Sequence, residues 1–566
     1  MARRRYLLLA CLLAGFGLWP LLAPGYFLKA HDAAHSLFFL VEFDQAFRDG
    51  ALIPRWGVDH ALGYGYPTFV FISPLAYYVA ESFHLVGAGI TLSVKLTYGL
   101  AMLFSAAGTF VLAEGFTSPA WACVAAVLYA FVPYRFVDMY VRSDLAESVA
   151  VAIFPWVLWA FWRLARQPSA RRVALAAILY GALLLSHNVS AFLFTPLLLA
   201  FIPFGLWRSG TWRRWQAWAW CLLAGMLALA LASVSLLPAL FERAYVSQQQ
   251  WVQGNYDVSK QFVYPGQLLS PFWGYGYAVA GPDDGMSLQL GLAPLCLALG
   301  GFFVGWRDRT RRPLVAFALL GLVAYVLLML PVSTWVWRAL PALAFAQFPW
   351  RLLGLAGLCM ALLAAGGSAA LPRGDPGFPV PVLLALVVVV AALPYAQPEY
   401  TAPSARSETP LAIVDFEMAH PDMIGVTAWV KQPPLTSPKL AAYLEGEPLP
   451  LGEANVPGAV LRALHRGAQR QSLACDLPQP GELTFYTYYY PGWRAYVDGK
   501  EVALHPTGPQ GLISFAVPAG RHVASIRFGD TPLRSLAKWI TLAAVAVVFL
   551  LALGPYHRAH GGQASC

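Results

Sequence analysis

The hydrophobic positions of this chain concentrate in separate runs, about 12 of them, each close to the length that spans a bilayer as an α-helix. Because 58% of the 566 residues are hydrophobic and only 12% are charged, the composition excludes an ordinary soluble domain, which has about 25% charged residues. The pattern predicts a polytopic α-helical membrane protein. The runs lie near 6–24, 91–113, 119–135, 148–165, 173–187, 189–206, 216–238, 288–305, 314–331, 350–370, 379–396 and 535–553.

Two apolar segments near the N-terminus are not predicted to cross the membrane. Residues 67–87 contain Pro67 and Pro74, and counting them as a span would invert the charge pattern that follows, so they are predicted to lie in the interface. Residues 31–49 mix phenylalanines with acids and predict an amphipathic helix on the outer membrane surface. Three of its acids are expected to face water: Glu42, Asp44 and Asp49.

Residues 397–530 have a different texture, with many prolines and glycines and short alternating runs. ELTFYTYYY at 482–490 reads as a strand, and the Asp498-Gly499 and Ala519-Gly520 pairs read as tight turns. This pattern predicts a β-sandwich domain. Four of its aromatic residues could stack on sugars or pack in its core: Tyr486, Tyr488, Tyr490 and Trp493.

Arginines fall in alternate loops, which sets the predicted orientation. The loops with Arg3–Arg5, Arg163–Arg172, Arg208–Arg214, Arg307–Arg312, Arg373 and Arg558 are predicted to be cytoplasmic, as are both termini. The formal charge of +9 therefore reflects topology and does not indicate nucleic-acid binding. The chain divides into a transmembrane domain at 1–396, an exoplasmic β-sandwich at 397–530, and a final helix with a cytoplasmic tail at 531–566. The exoplasmic loops of the first domain are 25–90, 136–147, 239–287 and 332–349.

The stretch HDAAH places His31, Asp32 and His35 just after the first span, on the predicted outer face. Two histidines four residues apart can ligate zinc if they lie on a helix, but no third ligand follows at a suitable spacing. No cofactor is required, although a divalent metal is not excluded. Asp32 lies where a cavity among the helices would open, so it is a candidate catalytic acid. His35 is a candidate partner, and His31 a candidate substrate-binding residue.

A second outer loop, YRFVDMYVRSDLAES at 134–148, packs five charged residues between two apolar spans. Charges at a membrane boundary tend to line polar cavities, although a solvated loop that neutralises itself is the alternative. Asp144 and Glu147 are candidate catalytic residues, because one helical turn would put them on the same face. Candidate substrate-binding residues are Arg142, together with four polar or aromatic residues near other helix ends: His187, Gln347, Arg351 and Tyr66.

Four motifs, met in this order along the chain, resemble the GT-C superfamily of membrane glycosyltransferases. They are HDAAH with GALIPRW, GYGYPTFVFISPLAYYVA, FPWRLLG, and YYYPGWRAYVDGKEV. The chain is most similar to bacterial YfhO-type proteins and to membrane proteins labelled as 6-pyruvoyl-tetrahydropterin-synthase-related. Nothing in its residues indicates pterin chemistry.

The resemblance implies that a polyprenyl-phosphate sugar is the donor and that transfer occurs on the exoplasmic side. It implies an essential acid in the first outer loop, which matches Asp32, and a second acid in the next loop, which matches Asp144 or else Glu147. Many members carry paired acids, D-D or E-x-D, whereas this chain has H-D. The catalytic acid therefore stays open to a shared role of His31 or His35.

The sequence predicts a glycosyltransferase of the bacterial inner membrane that acts on a glycan, lipid or protein acceptor of the cell envelope. Arg351, with help from Arg142, is expected to hold the lipid phosphate, and the β-domain to position the acceptor. Two alternatives are a flippase for lipid-linked glycans and a scaffold without catalytic activity. The clustering of charges on one side disfavours the flippase, since a transporter needs access from both faces.

Overall fold

The computed structural model describes residues 2–247, 256–370, 379–402 and 406–554, and most of them are helical. The α-helices of the first half are α1 Ala2–Gly15, α2 Ala33–Arg48, α3 Thr68–Phe71, α4 Leu75–Leu85, α5 Ile90–Glu114, α6 Pro119–Phe131, α7 Pro133–Phe136, α8 Leu145–Arg166, α9 Ala170–Ser186 and α10 Asn188–Arg208. Those of the second half are α11 Trp215–Phe241, α12 Pro265–Leu269, α13 Leu292–Arg307, α14 Arg312–Met329, α15 Thr334–Ala339, α16 Leu353–Ala364, α17 Pro379–Ala392, α18 Leu411–Ala419, α19 Leu440–Glu445 and α20 Pro532–Leu553.

Each predicted apolar run coincides with a helix, which confirms the helical membrane class. By length and composition, 8 helices among the described residues can cross a membrane, or 9 if one bent pair is a single span. Two further apolar helices, Leu292–Arg307 and Val380–Tyr395, are shorter. The number of crossings and their direction stay predictions. Arg373 and Arg558, which contribute to the predicted orientation, lie outside the described residues.

The run predicted as one helix at 119–135 is in fact broken. The chain bends by 48° between α6 and the helix that starts at Pro133. Proline disfavours helical backbone in the residue before it, and Val132 is accordingly extended, with φ −60° and ψ 138°. The helix then continues through a π-helical turn, Val137–Arg142, so residues predicted as an outer loop at 136–147 are mostly helical and buried.

The two N-terminal segments form short helices that pack on the long ones, and their position at the membrane surface stays a prediction. Residues 67–87 form α3 and α4, separated near Pro74, and the 11 residues of α4 are too few to span a bilayer. α2 buries a continuous face that includes Leu37, Leu40 and Val41, at helical spacing. The expectation that Glu42 faces water is wrong, because this face carries it into contact with Asp59.

The C-terminal sheet region contains nine described strands. They are β1 Gly452–Ala454, β2 Val460–Arg466, β3 Arg470–Leu477, β4 Gly481–Tyr488, β5 Trp493–Val497, β6 Lys500–Val502, β7 His505–Thr507, β8 Leu512–Val517 and β9 Gly520–Phe528. One sheet has the order β1-β4-β8-β7 and the other β2-β3-β9-β5-β6, with all pairs antiparallel. The Asp498-Gly499 turn joins β5 to β6 with positive φ at both residues, which a tight hairpin requires.

The two sheets share one core, and the aromatic residues proposed for sugar stacking belong to it. Tyr486, Tyr488, Tyr490 and Trp493 are all buried, so packing accounts for them. The first strand starts at Gly452, and residues 397–451 instead contain the short helices α18 and α19. The sandwich is therefore smaller than the predicted segment 397–530.

Hydrogen bonds within a group of mostly buried polar side chains connect the β-domain to the first outer loop. Asp59 accepts hydrogen bonds from Arg466 Nη2 at 2.5 Å and from the Tyr443 hydroxyl, and its backbone N–H donates to Glu42 Oε2 at 3.3 Å. We call Glu42, Asp59, Tyr443 and Arg466 the Asp59 cluster. It joins α2 and residues 57–66 to α19 and β2, which belong to the distant end of the chain.

Glu42 and Asp59 behave as an acid and a carboxylate. Burial, and then the charge of Asp59, raise the pKa of Glu42 well above its usual range. Burial alone would also raise the pKa of Asp59, but the Arg466 charge and hydrogen bonds from Glu42 and Tyr443 outweigh it and lower that pKa to about 2. The remaining oxygens, Glu42 Oε1 and Asp59 Oδ2, are buried without another partner among the described residues. One proton shared between the two carboxyls satisfies both.

Residues 57–66 also form a backbone concavity that a carboxylate fills. Ala61 and Leu62 both have left-handed φ, 55° and 54°, and their N–H groups converge on Glu417 at 2.8 and 2.7 Å. Burial raises the pKa of Glu417 to about 7 despite these two hydrogen bonds. α18, which carries Glu417, is thereby tied to the outer loop beside α2.

Candidate functional site

The second outer segment is folded so that its charged side chains converge. The π-helical turn ends at Ser143, whose φ of 59° is left-handed and reverses the chain direction. Asp144 then caps α8, with its Oδ1 accepting from the Glu147 backbone N–H at 2.9 Å. π-Helical turns insert an extra residue and are common at functional sites. Here the turn brings Asp138 and Arg142 next to the first turn of α8.

Arg142 lies at the centre of this arrangement and contacts three carboxylates. Its Nη1 donates to Asp138 at 2.7 Å and to Glu147 at 2.9 Å, and its Nη2 donates to Asp144 at 3.0 Å. The face of Trp350 lies 4.7 Å from the guanidinium carbon. Arg142 is thus held in one position by charge-assisted hydrogen bonds on its edge and an aromatic ring on its face.

A second arginine enters from a distant part of the chain. Arg351 lies in the 3₁₀ turn Pro349–Leu352, and its Nε donates to Glu147 Oε2 at 2.9 Å, while its Nη2 lies 3.7 Å from Asp144 Oδ2. The Gln347 side chain accepts from Arg351 Nη1 at 3.3 Å. We call Asp138, Arg142, Asp144, Glu147 and Arg351 the Arg142 cluster.

Exposure differs within the Arg142 cluster. The side chains of Asp138 and Glu147 are 1% exposed, that of Arg142 3%, that of Arg351 7% and that of Asp144 15%. The alternative of a solvated loop that neutralises itself is therefore half right. The charged groups do neutralise one another, but they are buried and not solvated. Asp144 is the most exposed member and Arg351 the next, and we call these two the rim of the cluster.

Asp32 lies beside this cluster and is far more exposed. Its backbone N–H donates to the Arg142 carbonyl at 2.6 Å, and the His31 N–H donates to the Val141 carbonyl at 3.1 Å. Asp32 occupies the cap position of α2, yet in the described chain its side chain caps no N–H of that helix. The side chain is 43% exposed. The backbone thus fixes Asp32 against the π-helical turn while its carboxylate faces outward.

The two histidines of HDAAH have different partners, and neither set of contacts favours zinc binding. His31 precedes α2, and its Nε2 lies 3.3 Å and 3.1 Å from the carbonyls of Tyr275 and Gly276, so Nε2–H is the donor. Its ring stacks on Tyr277 at 4.1 Å between centroids. Burial lowers the pKa of both His31 and His35. A helical i, i+4 pair of ligands is therefore absent at residues 31 and 35.

His35 faces Asp32 rather than His31. Its Nδ1 lies 3.9 Å from Asp32 Oδ1 and is buried with no hydrogen-bond partner in the described part of the chain. The ring packs against Phe38, Phe39 and Phe416. His35 is thus the imidazole within reach of the exposed carboxylate, and a shift of less than 1 Å would bring it within hydrogen-bonding distance.

The remaining candidates divide between the site and the β-domain. His187 caps α10 through Ser190 and interacts electrostatically with Asp144 and Arg351, so it belongs at the rim of the cluster. Tyr66 instead packs in the apolar core shared by residues 51–66 and the β-sandwich. The structure therefore brings together every candidate except Tyr66, although His31 contacts the site through its backbone.

Sequence reasoning missed several residues of the site, most of them tyrosines. The Tyr134 hydroxyl donates to Glu147 at 2.5 Å, and Ser148 donates to Asp138 at 2.5 Å. Tyr77 on α4 and Tyr256 interact electrostatically with Asp32, and Tyr256 also with Arg351. Tyr134 lies within the charged loop, which could have pointed to it. No sequence signal connects Tyr77 or Tyr256 with Asp32.

The three acids of the Arg142 cluster could in principle ligate a cation. Oxygens of Asp138, Asp144 and Glu147 lie within 4.8 Å of one another, which is the one such group found among the described residues. However, Arg142 donates to all three, and Arg351 donates to Glu147 and lies near Asp144. Two guanidinium groups already occupy the positions from which a cation would neutralise these acids, so this set does not fit a resident metal.

Comparisons with known proteins identify a family and give weak structural similarities. The model of the 6-pyruvoyl-tetrahydropterin synthase related domain, described as a membrane protein, matches residues 69–397. A curated protein of Lactococcus lactis subsp. cremoris (strain MG1363), described as uncharacterized, is 22% identical over 191 residues, which are 33% of this chain and 31% of that protein. This chain therefore spans about a third of that relative's length.

Among solved structures, the mycobacterial arabinofuranosyltransferase AftD has a TM-score of 0.40 at 18% identity, covering 69% of this chain and 26% of its own. The oligosaccharyltransferase AglB of Archaeoglobus fulgidus has a TM-score of 0.39 at 14% identity, covering 72% of this chain and 56% of its own. At these TM-scores, the similarities are too weak to establish a shared fold.

Proposed function

We propose that this chain, which belongs to the 6-pyruvoyl-tetrahydropterin synthase related family of membrane proteins, is a membrane glycosyltransferase. It transfers a sugar from a polyprenyl-phosphate donor to a hydroxyl acceptor at the membrane face that carries Asp32. By the positive-inside pattern this is the exoplasmic face of a bacterial inner membrane. The proposal rests on the site of this chain and agrees with the resemblance of its motifs to GT-C enzymes.

One observation carries the proposal: an exposed carboxylate is fixed by its backbone next to a buried network of acids and arginines. Asp32 is held to Arg142 by a backbone hydrogen bond of 2.6 Å while its side chain stays 43% exposed. Ionisable groups at a membrane boundary are costly to bury and usually serve a function. A carboxylate that does not cap its helix and is fixed by its backbone to Arg142, in a segment that also holds Arg351 through Glu147, has near it the groups that phosphate departure and proton removal require.

In the proposed reaction, Asp32 acts as the general base. The acceptor hydroxyl oxygen forms a bond to the anomeric carbon of the donor sugar while the bond from that carbon to the phosphate oxygen breaks. The hydroxyl proton passes to the Asp32 carboxylate, and polyprenyl phosphate leaves. Because the attack is direct, the configuration at the anomeric carbon inverts. The step needs no redox partner and no resident metal.

The arginines have different roles in this proposal. Arg351 reaches the rim, next to Asp144, and contacts the leaving phosphate, whose charge grows as the bond breaks. Arg142 is buried and saturated by three carboxylates, so it is a positioning residue that holds the π-helical turn against Asp32. Asp144 faces the same rim and orients donor or acceptor hydroxyls. Glu147 positions both arginines.

The acceptor side is proposed to include the ring of Tyr277. This ring is 65% exposed and stacks on His31, the neighbour of Asp32. An exposed aromatic face next to the base can pack on the apolar face of a sugar ring. The aromatic residues first considered for sugar stacking in the β-domain are buried in its core, so they do not contact the acceptor. In this proposal the β-domain helps to position the acceptor only by packing on the outer loop.

The test is sugar transfer by the full chain in proteoliposomes, using a panel of labelled polyprenyl-phosphate sugars and envelope glycan acceptors. We expect transfer by the wild type, a fall of about 100-fold or more for Asp32→Asn, and no change for the control Asp44→Asn. Asp44 lies on the same helix but pairs with Arg48. Movement of a labelled lipid-linked glycan across the bilayer without any transfer would favour the flippase instead and overturn the proposal.

A further inference from the structure

A polar cavity lies at the end of the bundle opposite the Arg142 cluster. α8 starts next to Asp144 and ends at Arg166, and its 22 residues place these ends about 33 Å apart. At the Arg166 end, a cavity of about 470 Å³ opens between the ends of α5, α8 and α10 and the turn before α14. It is therefore a different site from the proposed catalytic one and faces the other side of the membrane.

Arginines dominate the wall of this cavity. Arg166, Arg208 and Arg311 line it, together with Gln167, Ser209 and Thr310, and its described lining contains no carboxylate. Arg311 is partly neutralised by Asp308 behind it and donates to Ser368 at 2.7 Å. Arg208 donates to the Thr310 carbonyl at 3.2 Å, and the guanidinium of Arg166 lies over the Trp162 ring. The wall thus carries an excess of positive charge that no described side chain within it balances.

One buried group in the wall has no acceptor. The Trp162 indole N–H lies in the lining, its side chain is more than nine-tenths buried, and it makes no hydrogen bond with any described residue. A buried N–H without a partner is costly, and most such groups in folded proteins are satisfied by a ligand or water when protein atoms do not serve. The buried N–H therefore adds an unsatisfied donor to a wall that already carries three arginines.

The cavity lies in the head-group layer of a bilayer. Tryptophans concentrate at membrane–water interfaces, where the ring and the N–H meet different environments. At this end of the molecule, large parts of several tryptophan side chains are exposed: Trp207, Trp212, Trp215, Trp218 and Trp306. They border α10, α11 and α13 near the same depth as Arg166 and Arg208. A lipid head group is therefore the anion that reaches this cavity at the highest local concentration.

We propose that this cavity binds the phosphate of an anionic phospholipid from the leaflet opposite the Arg142 cluster, which by the positive-inside pattern is the cytoplasmic leaflet. Arg166 and Arg208 bind the phosphate oxygens, and the Trp162 N–H donates to the same group or to the neighbouring ester. Phe116 and Leu314 on the cavity wall contact the start of the acyl chains. This proposal does not depend on the catalytic one.

The test uses the full chain in nanodiscs of phosphatidylcholine mixed with phosphatidylglycerol. Lipids that stay bound after transfer to detergent are counted by native mass spectrometry. We expect the wild type to retain phosphatidylglycerol in preference to phosphatidylcholine. Arg166→Gln combined with Arg208→Gln should lower that retention about 30-fold, whereas the control Arg163→Gln, on the same helix but outside the cavity, should not.

A milder variant separates binding from folding. Trp162→Phe removes the indole N–H and keeps a ring against Phe116, which lies 4.5 Å away between centroids, so it should fold and lower retention about fivefold. Equal retention of the two lipids by the wild type would overturn the proposal, as would wild-type retention by the double variant. Thermal stabilisation by inorganic phosphate in detergent, lost in the double variant and unaccompanied by lipid preference, would identify a soluble anion instead.

Discussion

The Arg142 cluster and the Asp59 cluster both bury several charged groups on the same side of the molecule, yet only the first resembles a reaction site. In the Asp59 cluster, one arginine faces two carboxyls that share a proton; both carboxyls are fully buried, and only the Arg466 side chain is partly exposed, at 19%. In the Arg142 cluster, three carboxylates meet two arginines, and the exposed carboxylate of Asp32 lies alongside. Burial of charge alone therefore does not identify a site; an exposed carboxylate beside the buried charges does.

The comparison also shows what each cluster holds together. The Asp59 cluster joins residues that are about 400 positions apart in the sequence, such as Asp59 and Arg466, and so fixes the β-domain onto the outer loop. The Arg142 cluster mostly joins neighbours, and only Arg351 is distant. We infer that the first cluster sets the position of whole elements, while the second shapes one π-helical turn and the groups next to it.

The largest expected effect on stability is that of Arg142→Gln. This change leaves Asp138, Asp144 and Glu147 close together with one arginine instead of two, and breaking a buried ion pair typically costs about 3–5 kcal/mol. Thermal unfolding of the purified protein in detergent measures it. Arg48→Gln, which removes an exposed pair with Asp44, is the control and should change little. Similar melting temperatures for both variants would contradict the central position of Arg142.

The second prediction concerns pH and Glu417. Its pKa is about 7 in the folded protein and close to the ordinary glutamate pKa of 4.5 when unfolded, so between these values the folded state keeps a proton that the unfolded state has lost. Stability therefore falls as pH rises from about 4.5 to about 7, by about 3 kcal/mol from this group, and is constant above that range. Glu417→Gln should remove this part of the pH dependence.

Chemical denaturation of the wild type and of Glu417→Gln in detergent, at about pH 5 and about pH 8, checks the prediction. The other titrating groups are common to both proteins, so the difference between their pH dependences reports Glu417. The nearby groups His60, whose Nδ1 lies 3.8 Å from Glu417, and Asp59 are unchanged in the variant. Burial lowers the pKa of His60 to about 3, so it stays neutral in this range. An identical pH dependence in both proteins would show that Glu417 is ionised throughout.

The smallest expected difference separates the two acids of the Asp59 cluster. Because burial and the charge of Asp59 raise the pKa of Glu42 well above its usual range, we expect Glu42→Gln to replace a neutral acid with a neutral amide that can still donate to Asp59, and stability to change by less than about 1 kcal/mol. Asp59→Asn removes the charge that Arg466 contacts at 2.5 Å and should cost about 2 kcal/mol more. The unfolding midpoints of the two variants test this difference in stability. Equal losses of stability would mean that both carboxyls are charged or that neither is.

Much of the fold follows from the sequence because its signals are local. The apolar runs coincide with helices, and β4, β5 and β6 appear where alternation and the Asp498-Gly499 turn predict them. The break at Pro133 also had a local cause, but a hydrophobic run hides it. The buried state of Glu42 could not be predicted, because the groups that cover it, such as Arg466 and Tyr443, come from more than 400 residues away.

The candidate site divides in the same way. Asp32, Asp144, Glu147 and Arg142 were found because acids and an arginine near membrane boundaries are conspicuous in an apolar sequence. Their unequal exposure was not predictable, since it depends on the π-helical turn and on Arg351 entering from the far side of the chain. Tyr66 was a candidate substrate-binding residue, but its ring belongs to the core that residues 51–66 share with the β-domain.

The most direct test of the account compares an exposed acid with a buried one. Sugar transfer and melting temperature would be measured on the same preparations of Asp32→Asn and Asp138→Asn. We predict that Asp32→Asn loses transfer by about 100-fold or more at a nearly unchanged melting temperature, because its side chain is 43% exposed, does not cap α2 and lies no nearer than 3.9 Å to His35. Asp138→Asn should lower the melting temperature, because it removes an ion pair of 2.7 Å with Arg142. Wild-type transfer by Asp32→Asn would contradict the claim that Asp32 is the catalytic base.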